Sequence, residues 1–330
     1  MLIRDKRNIT AEQRRKNIIN LPVFSRIGPE YQKKIVLIRG DLMSSNLGMS
    51  PEDLQTVKDK VSVVIHSAAT TKFNEQLKVA LAVNLEGTRN VINLCHCLKQ
   101  IQVSYLFHHQ HQHAYLSCQQ VLYSSTILIS DGLPNTYTFT KALAEALVSD
   151  TRGHIPTVIV RPSIVTPAIR EPLPGWVDNW FRPTGVMTGV AMGTCRVLYA
   201  QYDNIVDAIP VDYVCNLILV AAARAKRSKK LKVYNSCTGS ANPLLMRNAL
   251  QLYAKCGVKD GFSNLSLLKY PSMIFEEILY KMAKVQEVLS FFTRNAWLIQ
   301  SSETVALSKS LSSDDYRRFS FNPHDIIWKE

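Results

Sequence analysis

The chain has 330 residues, 46% of them hydrophobic and 20% charged, which suits a globular protein with a substantial core rather than a disordered or fibrous one. A formal net charge of +13 fits a phosphate-rich cofactor, a CoA-type substrate or an anionic membrane surface. No aromatic-interleaved basic motif or nucleic-acid module signature occurs, so nucleic acid is not expected as a partner, and no run reaches the ~18 to 20 apolar residues of a membrane span.

In chain order, Leu2-Ile3 reads as the tail of a strand, followed by Arg4 and Lys6 in a strongly basic N-terminal region. Lys34 to Asp41 is a short apolar run stopped by Gly40-Asp41. Pro51 to Lys60 predicts a helix, with Ser50 as its N-cap and Pro51 at the first position. Val61 to Ala69 predicts a buried strand running into the small residues Ser67, Ala68 and Ala69. Gln76 to Leu98 carries apolar positions at helical spacing, and Val158-Ile159-Val160 is a further buried strand. Strands separated by helices predict an α/β fold with a parallel, doubly wound sheet. Beyond the basic stretch Arg224 to Lys230 the pattern turns helical, with candidate helices at Asn242 to Lys255 and Ser272 to Phe292. A dinucleotide-binding domain over 1–240 and a smaller helical domain over 241–330 are expected.

Seven cysteines lie scattered without a CxxC pair, and no signal peptide precedes them. Reduced thiols in an intracellular compartment are the expectation. In the tract His108 to His113, alternate histidines would share one face of a strand, but the sequence fixes no Cys or carboxylate beside them. No metal site is expected there.

The chemistry centres on Tyr137-Thr138-Phe139-Thr140-Lys141. Residues four apart share a helix face, so the Tyr137 phenol and the Lys141 ammonium can meet. A nearby cation stabilises phenolate, making the phenol a usable general acid at neutral pH. A bare YxxxK is more often a surface pair, so the motif depends on its surroundings. In open parallel sheets ligands bind beyond the carboxyl ends of the strands. Ser67, Ala68 and Ala69 occupy one such end, where small side chains let the backbone approach a cofactor. Asp41 occupies another and can accept hydrogen bonds from an adenine amine or ribose, while Arg4 can hold a 2′-phosphate.

The segments HSAATTKF, VNLEGT, PNTYTFTKALAE, VIVRPSIV and IPVDYV resemble, in that order, the extended short-chain dehydrogenases, and among them the alcohol-forming fatty acyl-CoA reductases. The end of the chain, with Phe291, Phe292, Trp297 and FNPHDIIW, is similar to that family's C-terminal domain. The resemblance implies a Rossmann-like sheet and NADPH-dependent reduction of a long-chain acyl-CoA through an aldehyde to a primary alcohol. It implies Tyr137 as proton donor and Lys141 as the residue that lowers the phenol's pKa and holds the nicotinamide ribose. Arg4, Asp41, Ser67, Ala68, Ala69, Asn84, Arg161, Pro162 and Ser163 would line the cofactor. A peroxisomal or endoplasmic reticulum membrane, approached peripherally, is the implied location.

The sequence also departs from that pattern. The family's glycine-rich TGxTGFLG turn, which cradles pyrophosphate at a helix N-terminus, has no counterpart, and no GxxGxxG occurs. The strand and helix around that turn are missing too, which predicts an open edge or gap in the sheet. Where the family has a catalytic Ser or Thr, the counterpart is His113, while Ser124, Ser125 and Thr126 offer hydroxyls nearby. The family's membrane-attaching segments would precede Tyr280 and follow Glu330. The alternative reading is therefore an impaired relative that binds an acyl-CoA or a partner without turning substrate over.

Overall fold

The computed structural model describes residues 1–6, 8–107, 135–178, 183–195, 197–225, 230–259 and 272–328. They form two compact units: Met1–Arg161 with Arg170–Pro174 and Cys215–Tyr234, and Pro162–Ile169 with Gly175–Val214 and Asn235–Glu330. The chain thus crosses between units several times, where the sequence predicts a single boundary near residue 241. Two of the five crossings, after Arg161 and after Tyr234, fall within the strands Thr157–Pro162 and Lys232–Ser236.

The first unit is a parallel α/β layer. Strands β1 (Leu2–Ile3) and β2 (Ile38–Arg39) pair in parallel as a separate two-stranded sheet. The main sheet has the order β3 (Val63–His66), β4 (Val103–Phe107), β5 (Thr157–Pro162) and the strand Lys232–Ser236. β3 to β4 and β4 to β5 are parallel, with Val63 opposite Val103 and Ser104 opposite Thr157. β3 therefore forms an edge among the described residues, and the β1/β2 pair is not hydrogen-bonded to it. This is the gap that the sequence predicts.

β3 is not the buried strand expected from its composition. Alternate residues face opposite sides of a strand. Val64 packs with Leu47, Val91 and Cys95 and His66 is buried, whereas Val63 and Ile65 are 40% and 51% exposed. That second face is about half open to solvent. β2 is likewise shorter than the apolar run Lys34 to Arg39: Pro29–Lys34 forms a 3₁₀ turn and Val36 is exposed. Gly40 follows β2 because a Cβ there would run into the Leu47 carbonyl oxygen and lie 2.6 Å from the Leu2 side chain.

Helix α1 is Ala11–Ile19 and α2 is Pro51–Lys60, the latter capped by the Ser50 hydroxyl, which accepts the Asp53 N–H at 3.1 Å. The segment from Leu77 to Cys97 is α-helical at Leu77–Ala80 (α3), π-helical at Leu81–Glu86 and α-helical again at Gly87–Cys97 (α4). Helix α5, Thr136–Thr151, supplies Phe139, Leu143, Leu147 and Val148 to a core shared with Leu85, Ile92 and Ile159. Burying a large aliphatic side chain stabilises by roughly 1.5–3 kcal/mol, so this cluster fixes α5 firmly against β5.

In the second unit, β6 (Ile164–Thr166) pairs in parallel with β8 (Ala208–Pro210), and β7 (Ile205–Val206) pairs antiparallel with Leu244–Leu245. A short strand therefore opens the stretch predicted as helix from Asn242, and the helix itself runs Met246–Lys259. Its Gly257 lies so close to the Ala191 backbone that a Cβ would collide with it. Phe291, Phe292 and Trp297 pack together with ring centroids 5.3–6.3 Å apart. The Trp328 indole N–H donates to Asn242 Oδ1 at 3.0 Å, and the Asn242 amide donates to the Ile326 carbonyl at 2.7 Å. Among the described residues no helix is long and apolar enough to cross a membrane, and the six described cysteines form no disulfide.

Candidate active site

Helix α5 begins at the carboxyl end of the main sheet. Asn135 caps it, its side-chain oxygen accepting the Thr138 N–H at 2.9 Å. The Thr136 hydroxyl reaches the carbonyls of Phe73 and Glu75 at 3.2 and 3.1 Å. This ties the start of the helix to the loop that follows β3. Tyr137 and Lys141, one turn apart, are 4% and 3% exposed. The Phe73 ring stacks on Tyr137 with centroids 5.8 Å apart, so the motif is not a surface pair.

Asn84 brackets the site. Its amide donates to the Thr70 carbonyl at 3.2 Å and to the Thr140 hydroxyl at 2.9 Å, and its oxygen accepts the Thr70 N–H at 2.9 Å. Almost fully buried, it spends its hydrogen bonds on fixing the Ser67–Thr70 loop against α5. Any effect on a cofactor would pass through that loop. Asn84 lies in the π-helical stretch, and single π turns frequently mark functional positions.

His66, the last residue of β3, is 6% exposed, with Nε2 3.0 Å from the Thr88 hydroxyl. The Thr88 hydroxyl in turn donates to the Asn84 carbonyl at 2.6 Å. Burial, reinforced by the Lys141 charge, holds the His66 pKa down at about 4, so the ring is neutral beside the lysine. Burial also lowers the Lys141 pKa to about 8, with the Glu145 carboxylate opposing the fall. Glu145, one further turn along α5, accepts the Arg161 Nε–H at 3.0 Å and a second bond from Arg161 Nη2.

The cofactor-side residues fall into three places. Arg4 and Asp41 meet beside the β1/β2 pair at 3.7 Å, with side chains 54% and 33% exposed. Asp41 also accepts the Met43 N–H at 3.0 Å, so it serves as a turn residue as well. Ser67 and Ala68 are exposed and Ala69 half-buried in the loop beyond β3. Arg161 and Pro162 end β5, on the same carboxyl end of the sheet. Ser163 belongs to the second unit. It is buried, its N–H donates to the Ser236 carbonyl at 2.9 Å, and its hydroxyl lies against the Asp207 carboxylate.

Burial raises the Asp207 pKa, countered by the Thr238 N–H, the Ser163 hydroxyl and the Gly239 N–H. The structure thus brings Tyr137, Lys141, Asn84 and the Ser67–Ala69 loop together, and Arg4 to Asp41. It gives Ser163 a carboxylate of its own unit as neighbour. The tract His108 to His113 and the hydroxyls of Ser124, Ser125 and Thr126 lie outside the described residues. Among the described residues no group of three His, Cys, Asp or Glu side chains is placed to hold a metal ion. The sequence reading missed His66, Thr140 and Glu145. The third was signalled by its spacing of four from Lys141, whereas His66 reads as the end of a strand.

A family model described as Male sterility protein, of NAD-binding type, matches residues 1–218. "Fatty acyl-CoA reductase wat" of Drosophila melanogaster is 29% identical over 392 residues, covering 99% of this chain and 75% of the relative. "Fatty acyl-CoA reductase 1" of Homo sapiens is 28% identical over 393 residues, covering 100% of this chain and 76% of the relative. Both alignments are longer than the 330-residue chain, so the relatives carry segments absent here between matched stretches. Among solved structures, the terminal R domain of the myxalamid PKS-NRPS biosynthetic pathway aligns with a TM-score of 0.68 at 20% identity, over 97% of this chain and 81% of that one. The reductase (R) domain of a nonribosomal peptide synthetase from Mycobacterium tuberculosis aligns with a TM-score of 0.62 at 14% identity, over 95% and 79%. These two likenesses establish a shared Rossmann-like α/β fold.

Proposed function

Because the chain belongs to the male sterility protein family, NAD-binding oxidoreductases that include fatty acyl-CoA reductases, we propose that it reduces long-chain fatty acyl-CoA to a primary alcohol with NADPH. The observation that carries the reading is the burial of Tyr137 and Lys141 on one face of α5, at the carboxyl end of a parallel sheet. Each of the two stages takes up one hydride and one proton. The first also breaks the thioester and releases the CoA thiol, leaving an aldehyde, and the second converts that aldehyde to the alcohol.

Tyr137 gives its phenolic proton to the carbonyl oxygen as that oxygen gains charge. Lys141 stabilises the phenolate left behind. The residues present fit the nicotinamide-ribose end of a dinucleotide: a buried ammonium, a phenol, and the small exposed residues Ser67 and Ala68. Arg4, exposed beside Asp41, fits a 2′-phosphate and supports NADPH over NADH. When bound, NADPH would supply the hydride. Arg161, Pro162 and Ser163 are proposed for the nicotinamide side, Arg161 through the carboxylate that it holds. In this reading residues 1–240 carry the NADP-binding domain and residues 241–330 the family's C-terminal domain. The protein would work at a peroxisomal or endoplasmic reticulum membrane surface, held peripherally by its basic charge.

The test is direct. Purified protein is given hexadecanoyl-CoA and NADPH, NADPH oxidation is followed by absorbance, and hexadecanol is sought by gas chromatography. Production of alcohol in a two-to-one ratio of NADPH to product is expected, and its absence at high enzyme concentration would refute the reading. A second reading, binding without turnover, is favoured by the segments that the relatives carry between matched stretches and this chain does not. It predicts weak NADPH binding by fluorescence titration, and micromolar affinity would exclude it.

A further inference from the structure

A bidentate ion pair inside the first unit joins α5 to the strand end beside it. Arg161 presents two nitrogens to the two oxygens of Glu145, the bidentate geometry that best fixes a carboxylate. The pair is partly shielded, with side chains 29% and 16% exposed. Glu145 follows Lys141 by four residues, so both side chains lie on one face of α5. Its carboxylate is the group that opposes the effect of burial on the lysine.

Among the described residues, the other groups named around Lys141 carry no net charge towards it. His66 on β3 is neutral above about pH 4. From the neighbouring helical segment come the uncharged Asn84 and Thr88, while Glu86 and Arg89 pair with each other at the surface. Tyr137 lies one turn earlier on α5 itself.

We propose that Glu145 and Arg161 are positioning residues for the reaction: the carboxylate keeps the buried Lys141 ammonium charged, and Arg161 limits that influence by drawing part of the carboxylate's charge to itself. This rests on the reading of Tyr137 and Lys141 as the reacting pair. Arg161 then acts on the nicotinamide end from a distance, through Glu145 and Lys141, rather than as a direct cofactor ligand. Such a pair lets the lysine keep its charge at neutral pH while buried, which a lone ammonium in that environment resists.

The two single variants Glu145→Gln and Arg161→Gln break the same ion pair, so a purely structural role predicts equal consequences. The proposal predicts opposite ones. Lysine labelled with ¹³C at Cε would be followed by NMR over pH 6 to 11, using Lys141→Arg to assign the signal. The midpoint should lie near 8 in the unaltered protein, fall by roughly one pH unit in Glu145→Gln and rise by roughly as much in Arg161→Gln. The double variant should return towards the starting value, as should Arg161→Lys, which keeps the charge. Shifts in the same direction, or none, would overturn the proposal. If Arg161→Gln does not fold, Arg161→Lys against Glu145→Gln still decides it, since a fall shared by both would be structural. The NMR titration needs no turnover. An inactive protein would therefore refute the function while leaving this inference to be judged by the same curves. In an active protein the alkaline limb of kcat/KM should move with the lysine.

Discussion

Two corners of the first unit carry the residues expected to hold the cofactor, and they are built differently. Around α5, Asn84, Thr140, Thr70, His66 and Thr88 bond to one another out of solvent, and Glu145 is clamped by Arg161. Beside β1 and β2, Arg4 and Asp41 are 3.7 Å apart and partly in water. A buried network is costly to leave half-satisfied, so each member holds the others in place. An exposed ion pair contributes about 0–1 kcal/mol and leaves its partners free to turn elsewhere. The corner proposed for proton transfer is fixed by the fold; the corner proposed for the 2′-phosphate depends on what binds there.

That contrast can be tested by perturbing each corner in turn. The largest effect is expected from Tyr137→Phe, which removes the proposed proton donor and should lower kcat by roughly 100-fold or more, read in the NADPH oxidation assay. Retained activity would place the donor elsewhere. Next comes acid. An unfolded histidine takes a proton near pH 6.5, the buried His66 only at about 4. Between those values the unfolded chain holds more protons, so stability falls as pH drops through the window, by up to roughly 3 kcal/mol. Melting temperatures from pH 7 to pH 4.5 would show it, and His66→Gln should flatten the curve.

Asn84→Ala should cost about 1–3 kcal/mol, because Thr70 and Thr140 lose their buried partner. It should also loosen the Ser67–Thr70 loop, seen as a higher KM for NADPH. The smallest effect belongs to the other corner. Arg4→Ala should change stability by less than about 1 kcal/mol while weakening NADPH relative to NADH, measured as the ratio of the two kcat/KM values. A large loss of stability there would erase the difference between the corners.

Much of this was legible in the sequence because it is local. The Ser50-Pro51 start of α2, the four-residue spacing of Tyr137 and Lys141, and the small residues after β3 need only their neighbours. What did not show is set by tertiary contact. Val63 and Ile65 have the composition of a buried strand, yet are 40% and 51% exposed, because among the described residues the core packs against the other side of β3. Asn84 has the chemistry of a ligand-binding residue and is consumed by Thr70 and Thr140. Arg161 at the strand end suits a cofactor contact, and its partner, sixteen residues earlier, is revealed only by the packing of α5 on β5.

The place of β3 at the edge of the main sheet among the described residues bears on how the molecule behaves in a tube. Its outer backbone groups and the half-exposed side chains of Val63 and Ile65 form a ready template for another extended segment. Neither lysine nor proline interrupts Val63–His66 to discourage such an addition. Two copies meeting along these edges would each gain a neighbour, so solubility should be limited by concentration before it is limited by heat. Ile65→Lys would be the economical remedy, adding charge on the half-exposed face and leaving His66 and α5 untouched.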